Sequence, residues 1–324
     1  MPGNILITGG AGFLGSSLAA RLCGRTPVVL LDNMRRNSLA SGALLDRPNV
    51  ELRVGDVRDP ACVSRALDGC RAVVHMASVA GVDAVCADPV GTLRTAMLGA
   101  ENVLGACNLR DGIERVVIVS SSEVYGPRAE GVAEDRALVP GGMNVSRWSY
   151  AVGKLAAERL ALAYHEQYGL PVTIVRPFNV YGPGQAGQGA VRVFVSRVLA
   201  GRTLNLVNGG GQVRAWCYLD DFIDGLVRAM TEPAAVGEVF NLGNPKATLT
   251  VRELAEKVSL LAGSELPFGL ETRAGPEVDV RVPDISKARH LLGFEPAVNL
   301  DAGLKLTLDW YRRQRIDPLE VSNG

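Results

Sequence analysis

The chain has 324 residues, 47% hydrophobic and 21% charged, a composition typical of a folded protein with one large core or two ordinary ones. Its 34 Lys and Arg balance 34 Asp and Glu, so no overall basic field favours nucleic acid or a membrane surface, and any anion site must be local. No apolar run approaches the roughly 20 residues that span a bilayer, and no basic, cleavable leader opens the sequence, so we expect a cytoplasmic protein.

Cysteine and histidine are too scattered for a disulfide framework or a metal centre. The 6 cysteines include no CxxC pair, and the 3 histidines lie far apart in the sequence. We therefore expect reduced, mostly buried thiols and no bound metal.

The first half of the chain alternates short apolar strands with helical stretches. The predicted strands cover residues 4–7, 28–31, 50–54, 72–76, 115–119 and 172–175. Strands that are apolar on both faces and separated by helices form a parallel sheet that is covered on both sides. We expect an α/β fold of the doubly wound Rossmann type.

After residue 176 the pattern changes to loops rich in Gly and Pro, with isolated helices. The clearest helix covers residues 250–262, where Thr250 and Glu253 can form a capping box and Gly263 can end the helix. We expect residues 1–176 to form the Rossmann domain. Residues 177–324 would mainly form a smaller α/β domain that closes over the carboxyl edge of the sheet, with some segments returning to the first domain.

A glycine-rich loop follows the first strand directly. Residues 8–15 read Thr-Gly-Gly-Ala-Gly-Phe-Leu-Gly and precede a helical stretch over residues 16–23. Glycine permits the tight turn and lets a pyrophosphate approach the backbone amides at the helix N-terminus. Glycines alone would also fit a plain turn, but Asp32 ends the second strand about 20 residues further on, so the pattern predicts a dinucleotide site.

Two carboxylates follow the second and third strands. Asp32 can accept hydrogen bonds from ribose hydroxyls and would repel a 2′-phosphate, which favours NAD over NADP, although Arg35 and Arg36 lie close in sequence. Asp32 would also fit a turn at the strand end. Asp56 either contacts the adenine amino group or caps the helix that follows it.

Tyr150 and Lys154 place a phenol and an ammonium on one face of a helix that runs to about residue 168. A nearby cation lowers a phenol pKa, so such a tyrosine can act as a base near neutral pH. The chain has 5 Lys, and Lys154 alone falls within the first 245 residues. A compact ammonium in a chain that otherwise uses Arg indicates a role that a guanidinium would not fill, rather than a solvated surface pair.

A cluster of polar residues, Ser120 to Glu123, follows the apolar strand at residues 115–119. The carboxyl ends of strands in such sheets face the ligand crevice. Alone, this cluster would be an ordinary cap or turn. Together with Tyr150 and Lys154 it is a candidate acid/base site.

The chain resembles the extended short-chain dehydrogenase/reductase family over essentially its whole length. The resemblance rests on the glycine loop at 9–15, on Ser121 with Tyr150 and Lys154, on Arg-Pro-Phe-Asn-Val-Tyr-Gly-Pro at 176–183 and on Pro-Asp-Ile-Ser-Lys-Ala at 283–288. The nucleotide-sugar branch of that family contains 4-epimerases, 4,6-dehydratases and decarboxylases. One departure is Ala96, where relatives often carry Asn.

The resemblance implies NAD as cofactor and a nucleotide sugar as substrate. It implies that Tyr150 deprotonates the sugar C4 hydroxyl, that Ser121 shares that hydrogen bond and that Lys154 holds the nicotinamide ribose while C4 is transiently oxidised. The implied cofactor contacts come from the glycine loop, the strand ends and the catalytic pair: Gly9, Gly12, Phe13, Leu14, Gly15, Asp32, Asn33, Asp56, Val57, Ala77, Ser120, Tyr150, Lys154 and Pro177. The implied substrate contacts are Asn179, Arg192, Arg214 and Arg281. Each of these arginines would also fit a charge on the protein surface.

The pair Ser122-Glu123 helps to distinguish the reactions of this branch. Dehydratases usually carry Asp-Glu at these positions, so this chain lacks the Asp that acts as their acid. Simple 4-epimerases commonly lack a carboxylate at the position of Glu123. Together with Arg147-Trp148-Ser149-Tyr150, the pair looks most like glucuronate-type decarboxylases, although GDP-mannose dehydratases also carry Ser-Glu.

Arg281 lies where the resembling decarboxylases have an arginine for the substrate carboxylate, although basic residues also occur there in other branches. We therefore expect the catalytic set Ser121, Ser122, Glu123, Tyr150, Lys154 and Arg281 of a UDP-glucuronate decarboxylase that forms UDP-xylose or a UDP-4-keto-pentose. The alternatives are a 4-epimerase, a 4,6-dehydratase, or a non-catalytic dinucleotide-sensing module, which typically lacks the Tyr/Lys pair. The resemblance also implies a homodimer through helices near 98–108 and 151–168.

Overall fold

The computed structural model describes residues 3–39, 43–139, 141–142, 144–265, 267–273 and 275–314. In chain order its strands are β1 (Asn4–Thr8), β2 (Val28–Asp32), β3 (Val50–Val54), β4 (Cys70–His75), β5 (Arg115–Val119), β6 (Arg128–Val132), β7 (Val172–Pro177), β8 (Val180–Tyr181), β9 (Leu204–Val207), β10 (Val213–Ala215), β11 (Cys217–Tyr218), β12 (Val239–Leu242), β13 (Thr248–Thr250), β14 (Phe268–Glu271) and β15 (Val280–Pro283). Its α-helices are α1 (Phe13–Leu22), α2 (Pro60–Ala66), α3 (Val82–Ala87), α4 (Pro89–Asn108), α5 (Ser149–Tyr168), α6 (Ala190–Leu199), α7 (Leu219–Thr231), α8 (Val251–Ala262), α9 (Ser286–Leu292) and α10 (Leu300–Gln314).

A parallel sheet of seven strands, in the order β12-β7-β5-β4-β1-β2-β3, forms the centre of the molecule. The strand order reverses between β1 and β4, which is where doubly wound sheets open a ligand crevice at the carboxyl ends of their strands. The predicted α/β fold is confirmed, and each predicted strand corresponds to one strand of this sheet. Strand β12, which pairs in parallel with β7, is not among the predicted strands.

Apolar side chains cover the sheet on both faces. Strands β2 and β5 are buried along their whole length, and β1, β4 and β7 are buried except at Asn4, Arg71 and Pro177. One face packs against α1, α7 and α9, and the other against α2, α4 and α5. A Cβ built on Gly153 would lie 2.8 Å from the Cβ of Ala96, so glycine lets α5 approach α4 closely there. This approach fixes α5, which carries Tyr150, beside the sheet.

The second lobe packs α6, α8 and α10 around a separate apolar core. Helix α8 begins after Thr250, whose capping box with Glu253 is present, and ends at Gly263 with a φ of 71°. That helix is predicted correctly. Helix α1 begins at Phe13, three residues before the predicted start at residue 16, so the prediction of its start is wrong.

The chain crosses the predicted boundary at residue 176 in both directions. Strand β6 lies before the boundary but pairs with β15 in the second lobe, and β12 lies after it but belongs to the main sheet. The division into two domains at residue 176 therefore stays a prediction.

The six cysteines are unpaired, and most are buried, as predicted: Cys23, Cys70, Cys107 and Cys217 are buried, Cys62 is half-buried and Cys86 is exposed. Every helix in the described ranges is too short or too polar to span a membrane. The described residues contain no cluster of three or more side chains suited to a metal ion.

Candidate active site

The glycine loop forms a close turn between β1 and α1. Gly9 has a φ of 71° and its carbonyl accepts a hydrogen bond of 3.1 Å from the Gly12 amide. A Cβ on Gly15 would lie 2.8 Å from the Gly10 Cα, so no larger residue fits. Gly12 offers no side-chain cap to α1, which leaves backbone amides at the helix N-terminus for a phosphate.

Asp32 stands next to this loop at the end of β2. Its carboxylate accepts hydrogen bonds from the amides of Ala11 (3.0 Å) and Met34 (2.8 Å). Burial raises the pKa of Asp32, and these two amides oppose that rise. The backbone thus holds the carboxylate in one place at the crevice, as a contact to ribose hydroxyls requires.

Asp56 lies after β3 and is tied to Arg58, whose guanidinium is 2.7 Å away and lowers the pKa of Asp56 to about 2. The helix that follows is capped by Asp59, not by Asp56. The capping alternative for Asp56 is therefore wrong, because the chain turns once more before α2 begins. The contact of Asp56 with adenine stays a prediction.

Lys154 lies one turn after Tyr150 on α5, with its Nζ 5.9 Å from the centre of the Tyr150 ring. The Lys154 side chain is 4% exposed, and its Nζ donates a 2.7 Å hydrogen bond to the Val119 carbonyl at the end of β5. Burial lowers the pKa of Lys154 to about 8. The ammonium therefore keeps its charge at neutral pH, close to the phenol.

Tyr150 and Ser121 come together at the carboxyl edge of the sheet. Burial raises the pKa of Tyr150 to about 12, and a hydrogen bond with Ser121 opposes that rise. Ser121 also caps the short 3₁₀ turn at Ser122–Tyr125 by accepting a 3.1 Å hydrogen bond from the Glu123 amide. The Ser120 hydroxyl is buried without a hydrogen-bond partner among the described residues.

His75 is a buried residue beside Lys154 and is not among the predicted site residues. Its Nδ1 lies 2.7 Å from the Thr8 hydroxyl. Burial, with the charge of Lys154 as a smaller cause, lowers the pKa of His75 to about 3. A neutral imidazole at the end of β4 adds no second charge beside Lys154. Its position at the end of a predicted strand is the signal by which the sequence could have placed it near the ligand crevice.

Beneath the site, Glu158 and Arg176 form an ion pair of 2.6 Å in which both side chains are 4% exposed. Arg176 also donates a 2.6 Å hydrogen bond to the Tyr125 hydroxyl. This pair joins α5 to β7 and to the 3₁₀ turn. It fixes the helix that carries Tyr150 and Lys154 against the strand that leads to the second lobe.

Glu123 lies between two guanidinium groups. Arg281, 1% exposed on β15, places Nη2 3.5 Å from Glu123 Oε1, and Arg147 places Nη2 3.8 Å from Glu123 Oε2. Arg281 also donates a hydrogen bond to the Ser122 carbonyl, while its Nε has no hydrogen-bond partner in the described part of the chain. Arg214 is close enough for the charges of Arg281 and Glu123 to act on it. The charge of Glu277 also acts on Arg214, so two carboxylates and three arginines give this cluster net positive charge.

Arg147 was singled out only as part of a sequence pattern. In the structure it stacks on Trp148 at 5.1 Å and donates a 3.0 Å hydrogen bond to the Pro276 carbonyl. It thus connects the start of α5 to the segment before β15. The sequence holds no signal for this contact, because 129 residues separate its partners.

The other predicted substrate contacts are more dispersed. Asn179 follows β7 with a φ of 40° and donates a 3.1 Å hydrogen bond to the Ala215 carbonyl. Arg214 donates to the Val278 carbonyl at 2.6 Å. Arg192 does not join the cluster around Glu123; it lies on α6 and donates to the Gly187 carbonyl.

Comparison with known proteins supports a family assignment. A family model described as the NAD dependent epimerase/dehydratase family matches residues 5–243. The chain is 33% identical to UDP-N-acetyl-alpha-D-glucosaminuronate decarboxylase of Bacillus cytotoxicus, over 95% of this chain and 97% of that protein. It is 35% identical to UDP-glucuronic acid decarboxylase 3 of Arabidopsis thaliana, over 95% of this chain and 89% of that protein.

Solved structures show the same fold. UDP-glucuronic acid 4-epimerase from Bacillus cereus, in complex with UDP-glucuronic acid and NAD, superposes with a TM-score of 0.87 at 27% identity, over 96% of this chain and 99% of that chain. A dTDP-glucose 4,6-dehydratase from Streptomyces venezuelae with NAD bound gives a TM-score of 0.88 at 31% identity, over 96% and 97%. Decarboxylases, epimerases and dehydratases thus all resemble this chain.

Proposed function

From the premise that this chain belongs to the NAD dependent epimerase/dehydratase family, we propose that it is a UDP-glucuronate decarboxylase that forms UDP-xylose or a UDP-4-keto-pentose. The observation that carries the proposal is Arg281, a buried guanidinium beside Glu123 whose Nε has no hydrogen-bond partner among the residues that the structure describes. A buried cation with spare donors is suited to the carboxylate of a uronic acid.

The protein uses NAD as its cofactor, as its family does, and the residues present fit that group. Glycine at position 15 lets α1 start directly against the loop, since a Cβ there would lie 2.8 Å from the Gly10 Cα, and the start of α1 has no side-chain cap that would occupy its amides. The amides of Ala11 and Met34 fix the carboxylate of Asp32 beside this loop. NAD supplies the hydride acceptor for C4 of the sugar when it is bound. Gly9, Gly12 and Gly15 would form the phosphate cradle, and Lys154 would hold the nicotinamide ribose.

Tyr150 would take the proton of the C4 hydroxyl. A phenol whose pKa is about 12 is protonated at neutral pH, so the base needs nearby positive charge to become effective. Lys154, one turn away, supplies part of that charge. Ser121 shares the hydrogen bond and keeps the hydroxyl aimed at the phenol oxygen.

Oxidation at C4 makes the substrate a β-keto acid. The bond between C5 and C6 then breaks and carbon dioxide leaves, while the electron pair of that bond stays on C5. Arg281 would hold the carboxylate before that step. Glu123, with Ser122 beside it, would act on the C5 side, where a proton must replace carbon dioxide. Arg214 and Asn179 would bind the nucleotide diphosphate.

A 4-epimerase that acts on a uronic acid is the second candidate, because a carboxylate-binding arginine serves both reactions. The observation in its favour is the fold similarity to an enzyme solved with UDP-glucuronic acid. Ser122 in place of the Asp of dehydratases is an argument against loss of water.

We extend the proposal to the assembly and location of the protein. Helices α4 and α5 pack together and leave Met97 and Leu98 46% and 47% exposed, which supports a homodimer through this face. We propose a cytoplasmic location, and a nucleotide sugar rather than nucleic acid or a membrane as the binding partner.

The test is incubation with NAD and, separately, UDP-glucuronate, UDP-glucose, dTDP-glucose and GDP-mannose, followed by mass measurement of the products. The proposal expects a nucleotide pentose from UDP-glucuronate alone. Loss of water from a hexose nucleotide would establish a dehydratase instead.

A further inference from the structure

Asn241 on β12 is a buried asparagine whose side chain reaches three other segments of the chain. The residue is 0% exposed. Its Oδ1 accepts a 2.8 Å hydrogen bond from the Tyr125 hydroxyl, and its Nδ2 donates to the carbonyls of Val132 (2.9 Å) and Asp284 (3.2 Å). One amide therefore connects β12 to segments that lie far from it in the sequence.

These partners lie next to the two halves of the cluster around Glu123. Tyr125 ends the 3₁₀ turn that carries Glu123. Asp284 directly follows β15, the strand that carries Arg281. The end of β6, which pairs with β15, supplies the third partner. Asn241 thus holds the turn of Glu123 and the strand of Arg281 from one point at the edge of the main sheet.

The main sheet fixes Asn241 itself. Strand β12 pairs with β7, and the residue opposite Asn241 is Arg176. Arg176 donates to the same Tyr125 hydroxyl that donates to Asn241, so this hydroxyl has both a donor and an acceptor in the sheet. A Cβ on Gly243 would lie 2.9 Å from the Cγ of Pro283, so glycine lets the end of β12 approach the end of β15 closely.

The contacts of this position require a primary amide. The Tyr125 hydroxyl needs an acceptor and the two carbonyls need donors, and an asparagine side chain supplies one acceptor and two N–H donors. A carboxylate would turn an acceptor toward both carbonyls, and an apolar side chain would leave the buried hydroxyl without its acceptor. The arrangement therefore depends on the chemistry of Asn241 and not only on its volume.

The backbone, rather than a side-chain hydrogen bond, sets the separation of Glu123 and Arg281. The 3.5 Å between Glu123 Oε1 and Arg281 Nη2 is longer than a well-formed N–H···O hydrogen bond. The direct link between the two halves is the hydrogen bond from Arg281 to the Ser122 carbonyl. A shift of the turn or of β15 would therefore change how Glu123 and Arg281 face a ligand.

We propose that Asn241 is a positioning residue that sets the place of Glu123 relative to Arg281, because it holds Tyr125 and the end of β15 at once. It acts through these residues and does not touch the substrate. Its effect on the reaction rests on the proposed function, in which Arg281 binds the carboxylate of a uronic acid. Its hold on the two segments can be measured without any ligand.

The test uses two variants and a matched control. Asn241→Asp keeps the size of the side chain but removes both N–H donors, and Tyr125→Phe removes the hydroxyl that reaches Asn241. The control, Asn244→Asp, makes the same chemical change at a residue that is 4% exposed and whose amide donates to the Val298 carbonyl.

Hydrogen–deuterium exchange without nucleotide follows the segments 121–126 and 280–286. We expect Asn241→Asp to speed exchange about tenfold in both segments, since both lose a hydrogen bond that holds them. Tyr125→Phe should speed exchange in the first segment alone, because Asn241 still holds the second. The control should leave both segments at the wild-type rate.

Calorimetry on protein saturated with NADH, which cannot oxidise the sugar, compares the affinities for UDP-glucuronate and UDP-glucose. Their ratio reports how well Arg281 meets a carboxylate. We expect Asn241→Asp and Tyr125→Phe to lower this ratio about tenfold, because a charge-assisted hydrogen bond depends on its alignment. The affinity for UDP-glucose, and the ratio in the control, should change by about twofold at most.

Exchange at the wild-type rate in both segments of Asn241→Asp would overturn the proposal, and so would an unchanged affinity ratio. An equal loss of ratio in Asn244→Asp would also overturn it, because the effect would then follow from a less stable fold. If Asn241→Asp does not fold, Tyr125→Phe decides by the same two measurements. A wild type that binds both nucleotides equally would sink the proposed function, and exchange would still decide whether Asn241 holds the two segments.

Discussion

Replacing Arg281 with alanine is the sharpest perturbation of the proposed chemistry. The guanidinium is 1% exposed and stands 3.5 Å from Glu123. A uronic acid carboxylate bound there would lose the cation that pairs with it. Removing one partner of a buried charge pair costs ~3–5 kcal/mol, which corresponds to a loss of about 100- to 4,000-fold in kcat/KM.

Lysine at the same position should rescue only part of this loss, because an ammonium cannot make the bidentate contact of a guanidinium. The assay is carbon dioxide release from UDP-glucuronate, together with the affinity for UDP-glucose, which has no carboxylate. Arg202→Ala, at an exposed arginine of the second lobe, is the control. Thermal unfolding shows whether the variants are folded.

A loss of kcat/KM smaller than about tenfold would refute the role of Arg281. An equal loss of affinity for UDP-glucose would also refute it, because the effect would then be a general disturbance of the pocket. The expected pattern is a large loss for the uronic acid nucleotide and a small change for the neutral one.

Three other predictions follow from the geometry. Titration should show that the wild type binds NAD more tightly than NADP. Asp32→Ala should reduce that difference in affinity, since the carboxylate that repels a 2′-phosphate is removed. A wild type that binds NADP more tightly would contradict this. Tyr150→Phe should keep the fold and NAD binding but suppress reduction of NAD by the substrate, measured as the absorbance of the reduced cofactor. Turnover within a factor of a few of the wild type would rule out Tyr150 as the base. Glu158→Gln should lower the free energy of unfolding in urea by ~3–5 kcal/mol because it leaves the buried Arg176 unpaired, whereas Arg159→Ala, at an exposed pair, should cost ~1 kcal/mol or less; equal effects would show that burial does not decide the cost.

Sequence patterns predicted the parts of this molecule that depend on local chemistry. The strands of the sheet are apolar runs between helices, and the capping box at Thr250 sets the start of α8 whatever lies around it. The pair Tyr150 and Lys154 follows from the period of the helix. These features need no knowledge of distant contacts.

Other features depend on contacts between residues far apart in the chain. Strand β12 is a short run after the predicted boundary, and only its pairing with β7 gives it a place in the sheet. The approach of Arg147 and Arg281 to Glu123 joins three separate segments. Sequence grouped Arg192 with the other substrate arginines, but in the fold it lies on α6 and donates a hydrogen bond to the Gly187 carbonyl, away from the cluster around Glu123.

The most direct measurement uses UDP-glucuronate labelled with ¹³C at C6, incubated with the wild-type protein and NAD. Mass spectrometry follows both the gas phase and the nucleotide product. A UDP-glucuronate decarboxylase should release labelled carbon dioxide and leave an unlabelled UDP-pentose. A labelled nucleotide of unchanged mass with inverted C4, and no labelled carbon dioxide, would contradict decarboxylation and identify a 4-epimerase.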